Sequence, residues 1–150
     1  AHPEQEVIYI ADSHPANHSS FTEFGGIWPV HCVEGTRGGA IHESFYTKVE
    51  NPANRPNPNR NIFRKGCKQD EEQYSGYEAV NSNGVALKDY ANKDVVVSGI
   101  ATEYCVYNTV NEFLKSGRNV ELLHDALGYV DYEGHKKTIK DLRKMVTVVE

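Results

Sequence analysis

Gly99-Ile100-Ala101-Thr102-Glu103-Tyr104-Cys105-Val106 joins the apolar run Val95-Val96-Val97 to a segment, Val106 to Leu114, whose residues Val106, Val110, Phe113 and Leu114 recur at helical spacing. Cys105 therefore falls at a switch from strand to helix. A thiol at the start of a helix lies in the positive end of the macrodipole, which favours thiolate over thiol. The other reading of a lone cysteine is a small buried hydrophobe.

Outward from that switch, strands and helices alternate. Towards the N-terminus, Val85 to Tyr90 reads as a short helix, Asn61 to Lys65 as a short strand ended by Gly66, and Val7 to Ala11 as a strand of the kind buried in a parallel sheet. Asp94 to Ser98 is the clearest central strand. Ala16 to Gly39 shows no long period, Ile41 to Val49 is ambiguous, the proline-bearing stretch Asn51 to Asn61 is an irregular surface excursion, and the polar segment Gln69 to Tyr77 reads as a loop or half-turn. Towards the C-terminus, the helix Thr102 to Lys115 closes on Ser116-Gly117, and Val120 to Leu123 forms a strand followed by His124-Asp125-Ala126. Glu133 to Met145 is an amphipathic helix with Ile139 and Leu142 inward, and Val146 to Val149 is a last strand. This alternation predicts an α/β fold, a mainly parallel central sheet with helices on both faces in three layers.

The chain has 150 residues, one domain's worth over 1–150, with 39% hydrophobic and 25% charged residues, which argues against disorder. A net charge of -5 without clustered Lys and Arg speaks against nucleic acid as partner. No apolar run reaches membrane-spanning length, so no membrane partner is expected. Cys32, Cys67 and Cys105 are odd in number and lack CxxC spacing, which points to free thiols in a reducing, cytoplasmic setting. Residue 1 is alanine and a strand begins soon after it with no charged leader, so further upstream sequence is expected. A homo-oligomer is compatible with all of this.

Three groups of residues carry chemistry. Asp12 and His14 are two apart at a strand end and point the same way, and His31 returning across a loop can complete three ligands of a divalent site, with His18 nearby. Oxygen and nitrogen donors without thiolate suit zinc, iron or manganese. The alternative is that Asp12 and His18 cap turns while His14 and His31 are partly exposed. Lys65 ends a strand expected beside the one carrying Asp12 or the one leading to Cys105, where its ammonium would favour a thiolate. Otherwise it is a solvated edge residue beside Arg64. Trp28, Tyr74 and Tyr104 could sandwich a flat ring, or serve as core aromatics.

Taken together, Asp12-Ser13-His14-Pro15-Ala16-Asn17-His18-Ser19-Ser20-Phe21, Gly25-Gly26-Ile27-Trp28-Pro29-Val30-His31-Cys32-Val33, Phe63-Arg64-Lys65-Gly66 with Tyr74-Ser75-Gly76-Tyr77, and Gly99 to Val106 resemble the nicotinamidase branch of the isochorismatase-like cysteine hydrolases. The strings stand in that family's order and cover most of the chain from Val7 to Tyr107. The resemblance implies an isochorismatase-like fold and hydrolysis of a small molecule, nicotinamide, to nicotinate and ammonia in NAD salvage. It implies Cys105 as nucleophile assisted by Lys65, a divalent metal, zinc ahead of iron or manganese, on Asp12, His14 and His31 with His18 as a further ligand in some members, and Trp28 and Tyr74 against the ring. It also implies a cis bond at Ile100-Ala101, with the Ala101 and Cys105 amides facing the oxyanion. The family's general base, an aspartate ending a first strand, would lie upstream of Ala1. A first strand and helix are therefore expected to be missing from this chain, leaving a sheet edge and an apolar face uncovered. The alternatives are another small-amide or vinyl-ether hydrolase of the same superfamily and a non-catalytic metal- or ligand-binding domain.

Overall fold

A computed structural model describes residues 5–150. They divide into two compact units, one running to Gln73 and including Glu78–Leu87, the other made of Tyr74–Tyr77 and Lys88–Glu150. No helix among the described residues is long and apolar enough to cross a membrane.

In the first unit β1 (Tyr9–Asp12) lies parallel to β2 (Ile62–Lys65), with Tyr9 opposite Ile62 and Asp12 opposite Lys65. In-register parallel strands end level, so the two charged residues are brought side by side. The connection between them is irregular, as expected, with single turns at Thr22–Phe24, Arg37–Gly39 and Pro52–Asn54 and one short helix, α1 (Ser44–Thr47). Two buried asparagines fasten the proline-bearing excursion to the segment that leads into β1. Asn54 accepts the Val7 N–H at 3.2 Å and donates to the Gln5 carbonyl at 2.8 Å, and Asn61 donates to the Val7 carbonyl at 2.9 Å. Buried amides persist only where such partners exist. Beyond β2, Val80 bridges antiparallel to Arg64 and to Ala86, and α2 (Leu87–Tyr90) follows.

The second unit holds β3 (Asp94–Gly99), β4 (Asn119–Leu127) and β5 (Thr147–Val149), all parallel, in the order β3-β4-β5. α3 (Tyr107–Lys115) joins β3 to β4, and α4 (Tyr132–Leu142) joins β4 to β5. Crossovers of this kind are what parallel neighbours require. Val106, Val110, Phe113, Val120, Leu122, Ile139 and Leu142 form its buried core, and Ile139 and Leu142 face inward as the spacing predicts. Gly117 sits at φ 81°. Its N–H reaches the Leu114 carbonyl and that of Arg118 reaches Phe113, the paired bonds that end a helix on a left-handed residue.

Three expectations need correction. Among the described residues β3 lies at the edge of its sheet, with Val96 51% exposed, and β4 has the central place; a valine run looks the same whichever place it takes. β4 continues through His124, Asp125 and Ala126, with a register shift between Val97 and Gly99 that accommodates the extra length. The helix expected from Thr102 begins instead as a π-turn, Thr102–Val106, before α3.

Leu142 is fully buried, so Leu142→Ala should destabilise the protein by about 2–5 kcal/mol in denaturant unfolding. Gly117→Ala, which forces a side chain into the left-handed region, should cost about 1–2 kcal/mol.

Candidate functional site

Asp12, His14 and His31 each offer a ligand atom, and these atoms lie within 4.8 Å of one another. β1 delivers Asp12. His14 follows on a short parallel bridge to Val33, where the His14 N–H meets the Cys32 carbonyl at 3.0 Å, and this pairing brings His31 in beside it. The two rings meet edge to face at 4.8 Å, against the fully buried Phe21.

Hydrogen bonds to carbonyls set each imidazole's tautomer, because a carbonyl can only accept. His14 Nδ1–H donates to the Gly66 carbonyl at 2.8 Å and His31 Nδ1–H to the Pro29 carbonyl at 2.7 Å. Both Nε2 lone pairs are left to face a cation, and His14 Nε2 lies 3.8 Å from Asp12 Oδ2. Burial lowers the His14 pKa from its ordinary value, which keeps the ring neutral as a metal ligand must be. The donors present fit a divalent cation of the zinc, iron or manganese type.

His18 does not join them. Its Nε2–H donates to the Glu71 carbonyl at 3.1 Å, and its Nδ1 accepts from the Ser20 hydroxyl at 2.7 Å and the Ser20 N–H at 3.2 Å. No lone pair remains for a metal. Of the two histidines that the alternative reading leaves partly exposed, His14 is almost wholly buried, whereas His31 is indeed partly exposed.

Lys65 is 4% exposed and no solvated edge residue. Of the two neighbours expected for its strand, β1 is the one observed. Its ammonium donates to Asp12 Oδ1 and to the Gln73 carbonyl. Next to it, Gly66 has φ 63°, and a Cβ there would stand 2.4 Å from His14 Cε1. Only glycine lets this carbonyl reach the imidazole.

In the second unit, the peptide bond Ile100–Ala101 is cis, and Cys105 sits half-buried inside the π-turn. The Val106 N–H reaches back to the Ala101 carbonyl at 3.1 Å. Such wide turns are frequent at functional sites. The Cys105 carbonyl accepts from the Thr109 hydroxyl at 2.6 Å, and that hydroxyl accepts the Gly76 N–H at 2.8 Å. Tyr74 and Tyr104 lie with ring centroids 5.4 Å apart. In the first unit, partial burial of the Cys67 sulfur, aided by the Glu34 carboxylate, pushes that thiol up.

The first unit thus gathers Asp12, His14, His31, Lys65 and Trp28, whose ring lies 6.4 Å from that of His31. The second gathers Tyr74, Ala101, Tyr104 and Cys105. Gly66 and Gln73 escaped sequence reasoning. A glycine directly after a strand was a signal for the first; nothing marked the second.

A family model described as the isochorismatase domain matches residues 72–150. The nicotinamidase/pyrazinamidase of Mycobacterium tuberculosis is 30% identical over 144 residues, which cover 91% of this chain and 72% of that enzyme. The pyrazinamidase of Pyrococcus horikoshii, solved in complex with zinc, is 32% identical with a TM-score of 0.77, covering 97% of this chain and 75% of that one. PnC1 from L. infantum, solved with nicotinate, is 31% identical with a TM-score of 0.78, covering 97% and 71%. The chain spans from 62% to 72% of the length of the curated relatives it matches. With the family model matching more than half of its residues and the solved structures following nearly all of them, the chain belongs to the isochorismatase-domain family.

Proposed function

We propose that this chain is one isochorismatase-like domain over 1–150 that hydrolyses nicotinamide to nicotinate and ammonia, a reaction of NAD salvage. The observation that carries the reading is the trio Asp12, His14 and His31, whose imidazole tautomers leave lone pairs in position for one cation. The nicotinamidases and pyrazinamidases among its relatives support the substrate, and the zinc complex of one of them supports zinc as the ion.

When bound, the divalent ion supplies a Lewis-acid position for the pyridine nitrogen. Cys105 forms the new bond. Its sulfur adds to the amide carbon, and the N–H groups of Ala101 and Cys105 take the oxyanion; one such donor is typically worth about 2.7–4 kcal/mol. Collapse breaks the C–N bond and releases ammonia, which takes its proton from a general acid. Water then cleaves the thioester and restores the thiol. The family resemblance gives Lys65 the role of assisting Cys105, and Trp28 and Tyr74 that of packing against the ring.

Cys105→Ala should lower ammonia release from nicotinamide on the order of 10⁴-fold or more, measured on the full-length protein. Turnover retained in that variant would overturn the assignment, and a wild-type protein active on a vinyl ether but not on nicotinamide would move it to another branch. Gly66→Ala should displace the His14 ring and weaken metal binding by about 10–100-fold in chelator competition. His31→Ala should leave the purified protein with substoichiometric metal by elemental analysis.

A further inference from the structure

Glu103 lies between Ala101 and Cys105 in sequence, and its side chain reaches another turn of the same unit. One carboxylate oxygen, Oε1, accepts the Val130 N–H at 2.9 Å and the Asp131 N–H at 2.7 Å. Its Oε2 is shielded from solvent and meets no hydrogen-bond partner among the described residues. Two backbone N–H groups, rather than a cation, therefore orient the carboxylate.

Further bonds tie the same two turns together. The Thr102 N–H and hydroxyl both donate to the Gly128 carbonyl, at 2.9 and 2.8 Å, and the Gly128 N–H donates to the Gly99 carbonyl at 3.0 Å. Because the Thr102 hydroxyl hydrogen is committed to Gly128, the 3.0 Å contact from His135 Nδ1 is a donation from the ring to Thr102 Oγ1. Asp131 in turn caps α4 by accepting the Gly134 N–H at 2.6 Å. The 128–131 turn is thereby fixed to a helix at one end and to the Cys105 turn at the other.

We propose that Glu103 is a positioning residue that clamps the Ala101–Cys105 turn onto the 128–131 turn, so that the two amides assigned above to the oxyanion are held in place before substrate arrives. The oxyanion role rests on the proposed function; the clamp itself does not. Preorganised donors lose much of their value when displaced by an ångström, so loosening the clamp should act on turnover more than on binding.

Two variants separate reach from charge. Glu103→Asp keeps the charge but is a methylene too short for the two N–H groups. Glu103→Gln removes the charge but keeps an oxygen that can accept from both. In the full-length metal-loaded protein, Glu103→Asp should lower kcat by about 10–100-fold with KM within about threefold, and Glu103→Gln should stay within about threefold of wild type in both. The rate of Cys105 alkylation by iodoacetamide, read peptide by peptide against Cys32 and Cys67, should follow the same ranking. Wild-type behaviour of Glu103→Asp, or equal loss in Glu103→Gln, would overturn the clamp. If the wild-type protein released no ammonia from nicotinamide, the proposed function would fall while the alkylation ranking still decided the clamp.

Discussion

A buried ammonium must have an anion. Lys65 has almost no access to water, and removing such a charge from solvent costs several kcal/mol unless a partner of opposite sign is close. Asp12 is that partner, and the in-register pairing of β1 with β2 puts it there. Strand register, the position of Lys65 and the orientation of the Asp12 carboxylate are therefore one constraint. A slip by one residue would turn Lys65 to the other face of the strand and leave both charges unpaired. The carboxylate fixed in this way is also one of the three groups that converge with His14 and His31.

The second unit is organised by backbone geometry more than by charge. A π-turn between β3 and α3 gives Cys105 a wider backbone loop than a regular helix start would, and the Thr109 hydroxyl secures the carbonyl of that residue. The α4 end of the unit reaches the same turn through Asp131, Gly128 and His135. Each unit places chemistry-bearing side chains at or just beyond the carboxyl ends of its parallel strands, where open α/β sheets bind their ligands.

What could be read in the sequence was the chemistry local to each strand end. Asp12 and His14 two apart, Lys65 before a glycine and Cys105 before a helical period all follow from short-range pattern, and the parallel βαβ alternation follows from the order of apolar runs. What could not be read depends on partners far away in the chain. His18 stands in a string that fits a ligand, but the Glu71 carbonyl and the Ser20 hydroxyl use both its nitrogens. Val95-Val96-Val97 looks like a central strand because three valines carry no information about which neighbour is present. The π-turn was equally hidden, since it precedes α3 and leaves the spacing of the apolar residues within that helix unchanged.

The carbonyl oxygens of Gly66 and Pro29 that hold the two imidazoles do not ionise. A histidine oriented by a carboxylate loses its anchor in acid, when that group takes up a proton; one oriented by main chain keeps the same edge forward for as long as the loop is folded. Aim and charge are thereby separated. Acidity can occupy the Nε2 lone pair of His14 without turning the ring, so a cation returning at higher pH meets a donor that needs no reorientation.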